Sequence, residues 1–167
     1  QDIQILSPMN KGELGCLNLN QKIQGCLNPG KPSDNPYKLG TLEFRKKDKV
    51  VQLSNNYDLG VFNGEIGIVD YTNVDGAKVV VNFGDRVVSY DQEQARDLNL
   101  AYSISIHKSQ GSEFSAVIIP VHMQHYIMLQ RNLLYTALTR AKKIAIFVGD
   151  SRALKVGLQS DKVQKRQ

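Results

Sequence analysis

The densest chemistry in the chain lies in ten residues, Ser105-Ile-His-Lys-Ser-Gln-Gly-Ser-Glu-Phe114. Hydroxyls, a cation and backbone amides are the groups that phosphate oxygens need. The segment follows one strand pattern and precedes another, so it forms a loop at a sheet edge, where open α/β sheets place ligands. Loops are polar in any case, and composition alone leaves an ordinary surface loop as an equal alternative. A second block runs from Arg131 to Lys143, with Leu133, Leu134, Ala137 and Leu138 on one side of a helical pattern and Arg140 at its end. An arginine there can reach a phosphate held by a neighbouring domain. It can also simply complement the helix dipole and the last carbonyls, and taken alone that reading is the stronger.

A third pattern misleads. Gly25 to Lys31 satisfies most of the phosphate-loop pattern GxxxxGK[ST], but Pro32 stands where a Mg²⁺-binding hydroxyl is required. The pattern also ends a helix instead of opening one, so a helix-terminating Asn28-Pro29-Gly30 turn explains it. Cys16 and Cys26 do not share a helical face and have no accompanying ligand cluster; they read as buried free thiols in a reducing compartment.

The elements that must position these residues can be read from periodicity. Ile3 to Ser7 is a short strand, Pro8 to Gly15 a turn, and Glu13 to Leu27 a helix with Leu14, Leu17, Ile23 and Leu27 as its apolar residues. Lys31 to Gly40 reads as a loop. Then come short β-branched runs, Lys49–Leu53, Ile66–Tyr71, Ala77–Phe83 and Arg86–Tyr90, separated by turn residues; Asp75-Gly76 is a strong hairpin signal. These predict a small antiparallel barrel. After Asp91 the pattern changes: Leu98–Ile106 reads as one strand, Ala116–Val121 and Ile144–Val148 as buried strands, and Arg152–Leu158 as a helix capped by Asp150-Ser151. Strand and helix alternation at both ends with a β-rich block between predicts an α/β domain interrupted by a barrel.

The chain has 167 residues, 41% of them hydrophobic and 22% charged, with a net charge of +5. That size suits one domain or one domain with an insert. The positive balance leans toward a polyanionic partner, although part of it lies in the tail from Lys155 to Arg166. No apolar run is long enough to span a bilayer. The chain opens on Gln1 without a signal pattern, which reads as an internal boundary or a cleavage product.

The residues from Ala101 to Phe114 resemble motif V of superfamily-one helicases in the form used by RecD-like enzymes, and Leu133 to Lys142 resemble their motif VI. Ile5 to Gly12, with Leu19-Asn20 and Leu27-Asn28-Pro29, are similar to the motif IV region. Phe44 to Gln52, Asn55 to Asp58 and Val61 to Gly67 are similar to the family's inserted barrel. The likeness runs from about Ile5 to Asp150.

The resemblance implies a RecA-like second motor domain with a parallel sheet over residues 1–41 and 92–167, interrupted over 42–91 by an Src-homology-3-like β-barrel. It implies that Arg140 is an arginine finger against a γ-phosphate and that Gly111, Glu113 and, more weakly, Lys11 border ATP. It places Ser105, His107 and Lys108 toward the backbone of single-stranded DNA. ATP and Mg²⁺ would be held mainly by an N-terminal RecA-like domain of the same chain, so this part alone is expected to carry no cofactor or metal and to be inactive. The implied parent is an ATP-dependent DNA helicase of recombination and repair, translocating 5′→3′, cytoplasmic and bacterial. Other subunits of a recombination nuclease complex are possible partners; a membrane is not. A non-catalytic nucleic-acid-binding module, and the helicase domain of a conjugative relaxase or a Pif1-like enzyme, are the alternatives. Two departures from the family pattern stand out. Ser105 replaces a threonine, and Lys47 stands where the barrel has glycine before Asp48, so the turn is expected to differ there. The loop Asn55 to Asn63 is a candidate second DNA-contact surface, or a purely structural turn.

Overall fold

The computed structural model describes residues 3–31, 35–73 and 78–160. In chain order the described elements are β1 (Ile3–Ser7), α1 (Cys16–Leu27), β2 (Tyr37–Leu39), β3 (Leu42–Phe44), β4 (Lys49–Gln52), β5 (Ile66–Asn73), β6 (Lys78–Asn82) and β7 (Val87–Tyr90). There follow β8 (Leu98–Leu100), β9 (Ser103–Ser105), β10 (Phe114–Val121), α2 (Arg131–Leu138), β11 (Ala141–Gly149) and α3 (Ser151–Gln159). The chain forms two compact units, one of residues 1–19 and 103–167, the other of residues 20–102. The expected insert, 42–91, lies inside the second unit, which also takes in 20–41 and 92–102.

The first unit is an α/β layer. Its sheet has the order β11-β10-β1-β9, and every pair is parallel. Strand side chains alternate between faces. Leu6, Val117, Ile119 and Val121 point to one side and are buried, with Leu133, Leu134, Ala137 and Ala153 of α2 and α3 in the core of the same unit. The helix α3 begins as expected: the Asp150 carboxylate accepts the N–H of Arg152 at 2.8 Å. The strand Ile144–Val148 is not buried, contrary to expectation. Ile144, Ile146 and Val148 are exposed, because β11 is an edge strand and no described helix covers that side of it. Between β1 and α1 the chain turns so tightly that a side chain at Gly15 would collide with the Lys11 carbonyl.

The second unit is a five-stranded antiparallel sheet in the order β7-β6-β5-β4-β8, with a separate β2-β3 hairpin. Val50, Val61, Val69, Val79, Tyr90 and Leu98 belong to its core. The strands β5 and β6 pair from Asn73↔Lys78 onward; the Asp75-Gly76 turn between them lies outside the described residues, as do Pro32 and the tail beyond Ser160. Tyr37 to Leu39, read as loop, is a strand paired through Leu39↔Leu42. Its tight connection places Gly40 at φ +59°, a conformation glycine adopts without strain.

Three further readings are corrected. Leu98 to Ile106 is two strands: β8 pairs antiparallel with β4, and β9 pairs parallel with β1. The alternating pattern is continuous, but hydrogen bonding changes partner at Ala101-Tyr102. Of the two thiols only Cys16 is buried; Cys26 is exposed. Finally, the turn before Asp48 keeps the left-handed backbone: Lys47 itself adopts φ +74°. Its N–H donates to the Val69 carbonyl at 2.7 Å, which holds the strained residue in place.

The helix α1 does not bury the residues periodicity suggested. Leu17 and Leu27 are exposed, whereas Asn20 and Gln24 are buried. Asn20 donates to the Leu100 carbonyl at 2.9 Å. Gln24 donates to the Asp48 carboxylate at 2.5 Å, and Asn28 donates to it at 2.7 Å. Amides at i, i+4 and i+8 form one helical stripe, and that stripe serves the second unit.

Candidate functional site

The loop from Ile106 to Glu113 is wound from short-range hydrogen bonds. The Ser105 hydroxyl accepts the N–H of Lys108 at 3.2 Å. The Ser109 hydroxyl donates to the Ile106 carbonyl at 2.7 Å, and the N–H of Ser112 donates to the Ser109 carbonyl at 3.0 Å. Gly111 takes φ +84° with open space above it, so the backbone there can be approached closely. Ser105, Ile106 and Ser109 are buried, whereas His107, Lys108, Gln110 and Gly111 are exposed. The loop thus turns the Ser105 and Ser109 hydroxyls inward to hold its own shape and leaves His107 and Lys108 exposed.

Its two ends stand at opposite ends of the sheet. Ser105 pairs with Ser7 where β1 finishes. Phe114 pairs with Ala141 where β11 starts. Ile5 faces Ile118, so Ser7 stands level with Pro120, and Phe114 lies six residues earlier, about 20 Å along the strand.

Arg140 sits at the amino-terminal end. Its N–H donates to the Ala137 carbonyl at 3.2 Å, and its own carbonyl accepts the N–H of Phe114 at 2.9 Å, which fixes its backbone to the last turn of α2 and the head of β10. Its guanidinium donates to the Ser112 carbonyl at 3.3 Å, the Thr136 carbonyl at 3.3 Å and the Thr139 hydroxyl at 3.2 Å. All three contacts are long and none involves a carboxylate, so little holds the group back from a stronger anionic partner. Beside it, Lys142 meets Glu113 at 3.3 Å; both side chains are more than half exposed, at 57% and 59%, so the pair contributes little to stability.

The predicted residues therefore fall into two groups. Arg140 and Glu113, with Gly111 two residues earlier, are brought together at the amino-terminal ends of β10 and β11. Ser105, His107 and Lys108 leave the carboxyl-terminal end of β9. Lys11 lies on the loop leaving the carboxyl-terminal end of β1, so it stands with Ser105 and not with Arg140. Among the described residues no cluster of carboxylates, histidines and cysteines could hold a metal, and no helix is long and apolar enough to cross a membrane. Gly25 to Leu27 are helical, which rules out a phosphate loop there.

Sequence reasoning missed Lys142, Ser112 and His125. Lys142 and Ser112 were legible as immediate neighbours of the quoted motifs. His125 gave no signal: its ring is buried, beside the backbone of Leu14 and Pro120. Burial, with His122 nearby, lowers its pKa, so it is neutral. In the second unit, the Asn55 and Asn56 side chains brace the 55–63 loop by accepting the N–H groups of Asn63 at 2.9 Å and Leu59 at 3.0 Å. The loop presents Tyr57 and Phe62 to solvent, edge to face with ring centroids 6.1 Å apart.

Comparison with known proteins follows this division. The family model of the UvrD-like helicase C-terminal domain matches residues 100–148. That of the ATP-dependent RecD-like DNA helicase SH3 domain matches residues 19–83. The chain is 38% identical over 154 residues to the ATP-dependent RecD2 DNA helicase of Deinococcus radiodurans, a match covering 92% of this chain and 21% of that protein. It is 27% identical to the RecBCD enzyme subunit RecD of Mycobacterium tuberculosis, over 93% of this chain and 26% of that protein. The chain thus spans about a fifth to a quarter of these relatives. Among solved structures, a Bacteroides Pif1 bound to single-stranded DNA matches with a TM-score of 0.61 at 21% identity, over 87% of this chain and 40% of that one. This likeness establishes a shared fold.

Proposed function

We propose, from the premise that this chain belongs to the RecD-like helicases, that it is the second motor domain of an ATP-driven DNA helicase. The observation that carries the reading is the seat of Arg140. Its guanidinium is only partly exposed and is held by three long contacts to neutral groups. That is the arrangement of a cation kept near its working position without a competing anion.

The residues fit one side of a nucleotide site. Arg140 faces the γ-phosphate, where it stabilises the charge on the transferring group and contributes a factor of about 10³ or more in rate. Glu113 accepts from a ribose hydroxyl, and Gly111 lets the backbone approach. ATP with Mg²⁺, held by an N-terminal motor domain, supplies the driving free energy. Ser105 shapes the turn that directs His107 and Lys108 toward the DNA backbone. Contacts of that kind ignore sequence, so affinity falls steeply with salt. Lys11 borders this same end, and its assignment to ATP is the weakest of the set. Because one wound loop joins the two groups, a shift of Glu113 and Arg140 toward phosphate pulls on Lys108 and His107, which couples domain closure to a step along the strand. Tyr57 and Phe62 supply a second contact, stacking on bases. Translocation 5′→3′, a cytoplasmic bacterial setting and work beside other nuclease subunits follow from the same premise.

Replacing Arg140 by Ala in the longer protein is the test. DNA-stimulated ATP hydrolysis should fall by about 10³, while DNA binding without nucleotide stays intact. Unchanged hydrolysis would remove the finger role. A phosphate loop encoded upstream separates this reading from a non-catalytic binding module.

A further inference from the structure

The turn between β3 and β4 carries a long cationic side chain where glycine would serve better. Lys47 lies at φ +74°; the other described residues with a left-handed backbone are glycines and Asn35. A lysine there costs free energy that glycine does not. The turn itself does not need it, because the contacts that fix it come from the backbone and from neighbouring side chains. The Lys47 N–H donates to the Val69 carbonyl at 2.7 Å, and the Asp48 N–H to the Arg45 carbonyl at 3.0 Å. The Asp48 carboxylate accepts the Arg45 N–H at 2.7 Å, and the Asn28 side chain donates to the Lys46 carbonyl at 2.9 Å. The Lys47 ammonium takes part in none of these. Lys46 and Lys47 are both exposed. The acids around them are engaged elsewhere: Glu43 pairs with Arg45 at 2.7 Å, and Asp48 accepts from four donors. Asp70, next to Val69, forms no ion pair with either lysine among the described residues. Strained residues of this kind cluster at binding sites.

We propose that Lys46 and Lys47 form a binding site for the phosphate backbone of a nucleic acid, presented by the barrel on a rigid turn. Two ammonium groups on adjacent residues suit a polyanion whose charges repeat. Lysine is a point charge without a fixed fork, so it accepts phosphate oxygens from many directions. Contacts of this kind position a strand and read no base. The mount favours binding. The backbone is already fixed by Val69, Asn28 and the buried Asp48, so only two side chains are ordered when phosphate arrives. The cost of the left-handed lysine is then met in the folded protein, and the charge stands in place before the ligand does. The site is distinct from the 55–63 loop. Strand β4 runs from this turn toward that loop, so the two stand at opposite ends of it, about 13 Å apart. One end offers charge and the other offers the rings of Tyr57 and Phe62. The inference rests on the reading of this chain as part of a DNA helicase, but not on the roles given to Arg140, Ser105, His107 or Lys108.

Fluorescence anisotropy of the full-length parent tests the site, with labelled oligo(dT) and with the same oligonucleotide joined to a duplex, across a salt series. At about 0.1 M salt each lost phosphate contact should weaken binding about fivefold for a single strand, or about eightfold for a duplex, and should flatten the plot of log affinity against log salt by about 0.7 or 0.9. Lys47→Gly should show that loss although glycine fits the turn, so weaker binding there is not loss of folding. Lys47→Asn, which removes the charge and tolerates the left-handed backbone, should match it. Lys46→Gln combined with Lys47→Gly should double the change in slope, and Lys47→Arg should keep the affinity. A loss seen with both ligands assigns the turn to single-strand phosphates; a loss seen only with the duplex assigns it to duplex phosphates. Unchanged affinity and slope of the double variant on both ligands overturns the site. Equal weakening by Lys47→Arg overturns it too, since the turn and not the charge would then matter. A parent that binds neither ligand removes the helicase reading as well, whereas a parent that binds and a double variant that binds equally well remove this site alone.

Discussion

Asp48 and Arg140 are built in opposite ways. Asp48 is fully buried and accepts from four donors: the side chains of Gln24 at 2.5 Å and Asn28 at 2.7 Å, the Arg45 N–H at 2.7 Å and the Tyr102 hydroxyl at 2.8 Å. Burial and the carboxylate together push the Tyr102 phenol far above its ordinary pKa, so it stays a donor. Arg140 has long contacts to neutral oxygens and an open side. The difference separates a charge used to organise a fold from one that, in the proposed function, meets a partner. A structural charge has every lone pair engaged by short bonds, whereas a working charge is left partly unengaged, because each strong internal bond would have to be broken again on binding.

Substitutions can break this contrast. Asp48→Ala should destabilise the protein by about 3–5 kcal/mol, because four donors, one buried and three half-buried, lose their acceptor at once. Denaturant unfolding of the variant checks this, and a loss under about 1 kcal/mol would mean that Asp48 is no more structural than a surface ion. Arg140→Ala should change the unfolding free energy by less than about 1 kcal/mol, despite the large loss of hydrolysis proposed for it. A loss as great as that of Asp48→Ala would end the contrast. Lys47→Gly should stabilise by about 1 kcal/mol, since glycine takes φ +74° without the side-chain clash; no gain would show that the turn rearranges around lysine. A smaller effect concerns pH. The folded-state pKa of His125 is lowered by burial, so the unfolded chain binds the proton first. Stability should be constant above the unfolded value of about 6.5 and fall as pH drops below it. His125→Phe should flatten that part of the profile, and an unchanged profile would place the titration elsewhere.

Much of this was legible in sequence. The α/β pattern with an interrupting block of short strands survives in the two sheets, because short β-branched runs such as Lys78–Asn82, with Val79 to Val81 buried, report local burial directly. Motif order identified the family and, through Arg140 and Glu113, the residues that meet at the head of β10. What sequence could not supply was partner choice. Leu98 to Ser105 alternates without a break, yet its halves pair in different sheets, since side-chain periodicity says nothing of which strand stands alongside. Asn20 and Gln24 are polar yet buried, because the Leu100 carbonyl accepts from Asn20 and the Asp48 carboxylate accepts from Gln24 and Asn28; single-chain patterning cannot see an acceptor 20 or more residues away. The bare face of β11 escaped for the converse reason. Ile144, Ile146 and Val148 read as core, and they are exposed because β11 is an edge strand that no described helix covers on that side.

The loop between Ser105 and Phe114 also limits how the chain can vary in length. It has eight residues to travel about 20 Å along the strands and past the width of β1, about 10 Å sideways. Its first six are wound in turns that advance about 2 Å per residue, and the rest run extended at about 3.3 Å. These add to about 20 Å, so there is little slack. Deleting one residue can be absorbed only by unwinding the turn that buries Ser109. The 55–63 loop is the reverse: Asn56 and Val61 are already bridged, its ends meet, and extra residues beyond them cost only the slow growth of loop-closure entropy. Tolerance to insertion and deletion should therefore divide the molecule as sharply as substitution does, with the 105–114 loop fixed in length and the 55–63 loop free to lengthen.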